Sequence, residues 1–109
     1  MLKIMLSLDL TNAKDNRAEF YNYLEEAGWK KAKNVDTVWL KETKDYNPQD
    51  SNSLINVEKE EIVNPLAKAH KELKLDKIYY VAQFGNAAFV SRVIEIRNGV
   101  LKAYIENLY

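Results

Sequence analysis

Asp9 is the penultimate residue of the apolar stretch KIMLSLDL, which the polar run TNAKDN follows, and this sets a carboxylate at the tip of an expected strand. Two chemistries fit that position. A hard cation such as Mg²⁺ takes oxygen ligands, often one or two carboxylates with water or phosphate completing the octahedron. Two copies of Asp9 meeting across a dimer axis would supply such a pair. Aspartate equally ends strands by accepting bonds from nearby backbone N–H groups, and the residues alone leave both readings open. Lys30, Lys31 and Lys33, with Lys41 and Lys44 nearby, form the densest cationic region. They suit phosphate contacts made without base specificity, or they are the lysines that keep an exposed strand from pairing with a stranger.

His70 is the only histidine and cysteine is absent. Histidine pairs, two-histidine zinc motifs, thiolate sites and disulfides are therefore excluded within one chain. His70 lies beside the apolar stripe of a Lys-rich segment, where a partly exposed helix position is expected in preference to a proton shuttle. Trp29 and Trp39 could stack on bases, but aromatic side chains bury large areas, and Phe20, Trp39, Tyr80 and Phe84 are expected in the core. FGNAAF has one glycine and no Lys-Ser/Thr ending, so it reads as a turn or helix cap and not a phosphate loop.

These residues must be positioned by a single domain, since 109 residues leave no room for two. Apolar residues make up 47% and charged residues 29% of the chain, as in ordinary globular proteins. Sixteen basic and sixteen acidic residues cancel, which removes the long-range field that gathers polyanions; nucleic-acid binding would need a local patch or a second subunit. Few apolar residues precede Asp9 and no run approaches the length of a membrane span, so the expectation is a cytoplasmic protein without membrane contact.

Leu2 to Leu10 reads as a strand apolar enough for a central place in a sheet. Phe20, Leu24 and Ala27 then recur at helical spacing, with Asp15 or Asn16 as cap and Gly28 as terminator, predicting a helix from about Asn16 to Ala27. WKKAKNVDTVWLKET predicts a hairpin joined at Asn34, Val35 and Asp36, and KDYNPQDSNS an exposed loop. Ile62, Leu66, Ala69 and Leu73 share one helical face between Val57 and Leu75. Pro65 interrupts it: either the helix kinks there, or Asn64 caps a shorter helix that Pro65 opens. KIYYVAQFG is a further strand. Phe89, Val93, Ile96, Val100, Tyr104 and Leu108 recur at steps of three or four and favour a terminal helix from about Ala87, while Asn98-Gly99 between RVIEI and VLKAYI offers a hairpin instead. The order β-α-β-β-α-β predicts an α+β, ferredoxin-like domain over residues 1–109, with two helices on one face of an antiparallel sheet and residues 91–109 as a C-terminal extension.

Three segments, KIMLSLDL, GWKKAKNVDTVWLKE and KIYYVAQFGNAAF, resemble in order the opening strand, tryptophan-bearing hairpin and last core strand of a known family. It is that of the small ferredoxin-like proteins related to the dimeric subunit of the CRISPR adaptation complex, including its shorter stand-alone relatives. The resemblance implies a homodimer, contact with nucleic acid and, in some members, a divalent-metal phosphodiesterase activity centred on the strand-end aspartate. Only Asp9 carries over, as the catalytic residue that would hold Mg²⁺; no other cofactor is implied. Lys30, Lys31, Lys33 and Lys41 are the expected nucleic-acid contacts. The stretch VIEIRNGVLKAYIENLY departs from the swapped strand of the CRISPR subunit. A second expectation from a different class stands beside the first: a non-enzymatic module, such as a phage or mobile-element accessory factor, that docks on a protein partner through its sheet edge or C-terminal element.

Overall fold

The computed structural model describes residues 2–11, 16–34, 37–44, 46–86 and 88–108, with Ala88 described by its backbone alone. Its elements are β1 (Leu2–Thr11), α1 (Arg17–Glu26), β2 (Lys30–Lys31), β3 (Val38–Thr43), α2 (Ser53–Glu58), a π-helical turn (Lys59–Val63), α3 (Asn64–Leu73), β4 (Lys77–Phe84), β5 (Ala88–Arg97) and β6 (Val100–Ile105). The strands form one antiparallel sheet in the order β2-β3-β1-β4-β5-β6. The class is α+β. The sheet has six strands where four were expected, and its β2-β3-β1-β4 part is compatible with the expected arrangement.

Strand alternation sets what each face does. Leu2, Ile4, Leu6, Leu8 and Leu10 turn inward, joined by Trp39, Ile78, Tyr80, Ala82 and Phe84. Phe20 and Leu24 of α1 and Ile62, Leu66 and Ala69 of the second helical stretch cover them, so both helical layers lie on one face. Phe20, Trp39, Tyr80 and Phe84 are all core residues, as expected.

α1 ends in a Schellman motif: the N–H of Trp29 bonds Leu24 C=O and that of Gly28 bonds Glu25 C=O, both at 3.0 Å. Gly28 takes the left-handed conformation this requires, at φ 93°. The expected side-chain cap is not made by Asn16, whose amide donates instead to Leu73 C=O at 3.4 Å; Asp15 lies outside the described residues. The hairpin pairs Lys30 with Leu40 and Lys31 with Trp39; of its joint, Asn34 has φ 64°, and Val35 and Asp36 lie outside the described residues.

Pro65 does not shorten the helix. Helical backbone runs from Ser53 to Leu73, and a π-helical turn absorbs the irregularity just before Pro65. Proline has no N–H to give Glu61 C=O; the indole N–H of Trp29 donates to that oxygen at 2.8 Å.

The C-terminal helix is the expectation the structure overturns. Residues 88–97 and 100–105 are strands joined by Asn98 and Gly99 at φ 51° and 78°. Both positive angles define a type I′ turn, whose twist matches a β-hairpin. Val93, Ile96, Val100 and Tyr104 fall at helical steps, yet they are divided between the two faces of the hairpin. Pairing β5 to the otherwise bare edge of β4 satisfies a whole ladder of backbone groups.

Candidate functional site

Two surfaces can do something: the sheet face away from the helices, and the outer edge of β6. Asp9 stands on the first, opposite Tyr79 of β4, with its side chain three-quarters exposed. Its Oδ1 accepts the N–H of Leu10 at 3.0 Å, and Arg17 Nη2 lies 3.9 Å away. Asp9 thus bonds a neighbouring backbone N–H, but it does not end the strand, which runs on to Thr11. Ser7, Thr37, Tyr79, Val81 and Leu108 join it around a shallow cavity of about 380 Å³.

Asp9 is the one carboxylate among the described residues around this cavity, with the Arg17 guanidinium beside it, and among the described residues no three acidic or histidine side chains group to hold a metal.

Of the four predicted lysines, Lys30 and Lys41 line one cavity of about 490 Å³ together with Lys3, and Lys31 and Lys33 are not part of that lining. Lys30 and Lys31 are exposed on the short β2, pointing to opposite faces, with Lys31 Nζ 5.2 Å from the Tyr21 ring centre. Lys33 is exposed in the turn that follows. Lys41 faces inward instead: it is ion-paired with Glu61, bonded to the C=O of Ala27 and largely buried. This places a cation at the C-terminal end of α1, where the helix dipole favours it. His70 is a correction: it is buried, not partly exposed, and its Nε2 lies 2.7 Å from Asp76 C=O. A carbonyl only accepts, so that nitrogen carries the hydrogen. Trp29 and Trp39 are both buried and take no part in a surface.

A further polar network ties the second helical stretch to β4 and β5. Tyr80 donates to Glu58 Oε2 at 2.6 Å, and Arg92 Nε lies 3.3 Å from the same oxygen. Burial first, then the bond to Glu58, pushes the Tyr80 hydroxyl far above the usual tyrosine range.

On the open face the register aligns Leu40, Met5, Gln83 and Phe89 in one row, of which Leu40, Met5 and Phe89 are about half exposed. Beside it the chain beyond β6 folds across the sheet. Glu106 N–H bonds Ser91 C=O at 3.4 Å, Ser91 Oγ bonds Glu106 C=O, and Leu108 lines the same cavity as Val81 and Ser7.

Edge geometry follows from the turn. In a two-residue loop the flanking pair, Arg97 and Val100, exchanges backbone bonds, and so does every second pair after it, Glu95 with Lys102 and Val93 with Tyr104. The Glu106 to Ser91 bond continues the same series. The N–H and C=O of Leu101, Ala103 and Ile105 therefore point away from β5, and β6 is the last strand of the sheet. Ile105 is 81% exposed and Val100 53%. Sequence reasoning named this element only as a rival to a helix; the signal that locates the edge is Asn98-Gly99 between β-branched runs. No helix among the described residues is long and apolar enough to cross a membrane. Comparison with protein-family models, with curated proteins and with solved structures found no match.

Proposed function

We propose that the chain is a ferredoxin-like protein-interaction module, non-enzymatic, that docks through the hairpin β5-β6 appended to its β2-β3-β1-β4 core. One observation carries this reading: β6 offers a row of unpaired backbone groups flanked by exposed Val100 and Ile105. Sheet edges are usually blunted by charge, proline or brevity. Here the opposite edge, β2, is two residues long and both are lysine, whereas β6 has six residues and one charge. An added strand takes main-chain bonds for affinity and side-chain pockets for specificity. The test uses the tagged chain and its Ala103→Pro variant as baits in a lysate. The native bait retains a protein partner at moderate salt without nucleic acid, and the variant loses it; equal retention by the variant overturns the reading.

A second reading rests on a different observation, the exposure of Lys30, Lys31 and Lys33 together with the solvent-open carboxylate of Asp9. In it a homodimer binds nucleic acid through the lysines, and two Asp9 carboxylates converge on Mg²⁺, which when bound activates water and offsets phosphate charge. Lys41, engaged by Glu61, contributes nothing to it without breaking that pair. Duplex binding that falls steeply with salt supports the first part. Mg²⁺-dependent cleavage that survives Asp9→Ala retires the second.

A further inference from the structure

We infer that β6 pairs antiparallel with β6 of a second copy of this chain, in the register that sets Ala103 opposite Ala103. The inference rests on the docking role proposed for that edge and names its occupant. A twofold axis perpendicular to the sheet keeps both helical layers on one side and makes every contact occur twice.

The register follows from the residues. With Ala103 on the axis, Leu101 faces Ile105 of the second copy and Ile105 faces its Leu101, all on the helix side of the sheet. These are the three residues whose backbone groups point outward, so each facing pair exchanges bonds, about six in all. On the other side Lys102 meets Tyr104 of the second copy. That ring already attracts its own Lys102, whose Nζ lies 5.2 Å from the ring centre, and a second cation–aromatic contact repeats the same chemistry.

Neighbouring registers are worse. One step toward the turn sets Lys102 directly opposite Lys102, a like-charge pair that destabilises a sheet, and leaves Ile105 opposite Gly99. One step the other way sets Leu101 against Asn107 and draws Glu106 from Arg97, its ion-pair partner at 3.4 Å.

The chain has no cysteine, so single cysteines report the register cleanly. Ala103→Cys is expected to give a disulfide-linked dimer on mild oxidation, because facing residues of such a pair bring their Cα atoms within bridging range. Lys102→Cys and Tyr104→Cys are expected to stay unlinked. Sedimentation at about 100 µM, a concentration suited to a small interface, is expected to show twice the monomer mass for the native chain and the monomer mass for Ala103→Pro. Proline there removes an outward N–H and none of the chain's own ladder bonds, and an unchanged circular dichroism spectrum establishes that the variant is folded. A native chain that sediments as a monomer overturns the inference and leaves the docking reading to the capture experiment. A dimer that survives Ala103→Pro, or that links through residue 102 or 104, also overturns it.

Discussion

Substituting Trp29 by phenylalanine tests whether Pro65 is tolerated because a side chain from elsewhere in the fold replaces its missing N–H. The indole N–H bonds Glu61 C=O at 2.8 Å, and Trp29 is buried. Losing the donor deprives a partly buried acceptor of its indole partner, at about 1–3 kcal/mol. The smaller ring adds a cavity cost on the order of 1 kcal/mol. The expected total is roughly 3 kcal/mol, or about 12 °C in melting temperature at roughly 4 °C per kcal/mol for a domain of this size. Pro65→Ala supplies a backbone N–H one helical turn beyond Glu61, so in that background the same substitution should cost about 1 kcal/mol less. Urea unfolding followed by circular dichroism on the four proteins of the cycle measures that coupling. Trp39→Phe is the control, because the Trp39 indole N–H has no hydrogen-bond partner among the described residues and should not couple to Pro65. Additivity of Trp29→Phe and Pro65→Ala within about 0.5 kcal/mol refutes the reasoning.

Three other outcomes are expected. Lys74 ends α3 in the left-handed conformation at φ 53°, and Lys74→Gly should stabilise the chain by about 1 kcal/mol, read as a higher urea midpoint with unchanged slope. Gly28→Ala should destabilise by about 1–2 kcal/mol, since φ is 93° and an added Cβ would sit 3.3 Å from Lys41 Cε and Nζ; an unaltered melting temperature would count against the Schellman assignment. Tyr80 holds its proton in the fold well above pH 10 while the unfolded side chain ionises near there, so the fold binds more protons and stability falls as pH rises past about 10. The slope from this residue is at most about 1.4 kcal/mol per pH unit, and Tyr80→Phe should remove it.

What the sequence disclosed was the part where one period dominates. Leu2 to Leu10 alternate strictly in the structure although Met5 and Leu6 read as continuous apolar chain, because Met5 belongs to the half-exposed row on the open face. The helices, the lysine-bearing hairpin and β4 each carried a local signal of spacing or turn chemistry, and each appears within a few residues of its expected place. The C-terminal segment carried two signals at once. Steps of three and four recur by chance among densely apolar strands, and the choice fell to a long-range requirement, the bare edge of β4, which no local window contains. His70 is buried through a partner past a helix end, Asp76 C=O, and Lys41 is drawn inward by Glu61 on a π-helical turn; neither partner is signalled by spacing. For Asp9, the fold displays a bond to its neighbour's N–H within a strand that runs on to Thr11.

The two ends of the sheet carry the argument about function further than either candidate residue does. Lys30 and Lys31, two of the lysines that first direct attention to phosphate, lie on a strand too short and too charged to accept another, and Lys31 rests near an aromatic ring of the same chain. Edge protection accounts for their position without any ligand. The same account fails at β6, where one lysine stands among Val100, Leu101, Ala103, Tyr104 and Ile105 and no proline or bulge interrupts the strand. An unguarded apolar edge is an aggregation hazard unless a partner covers it. Ile105→Lys discriminates these alternatives by solubility: if the edge is a docking strand the variant stays folded, gains solubility and loses its partner, whereas a strand that serves only the intramolecular sheet would leave association and solubility as they were.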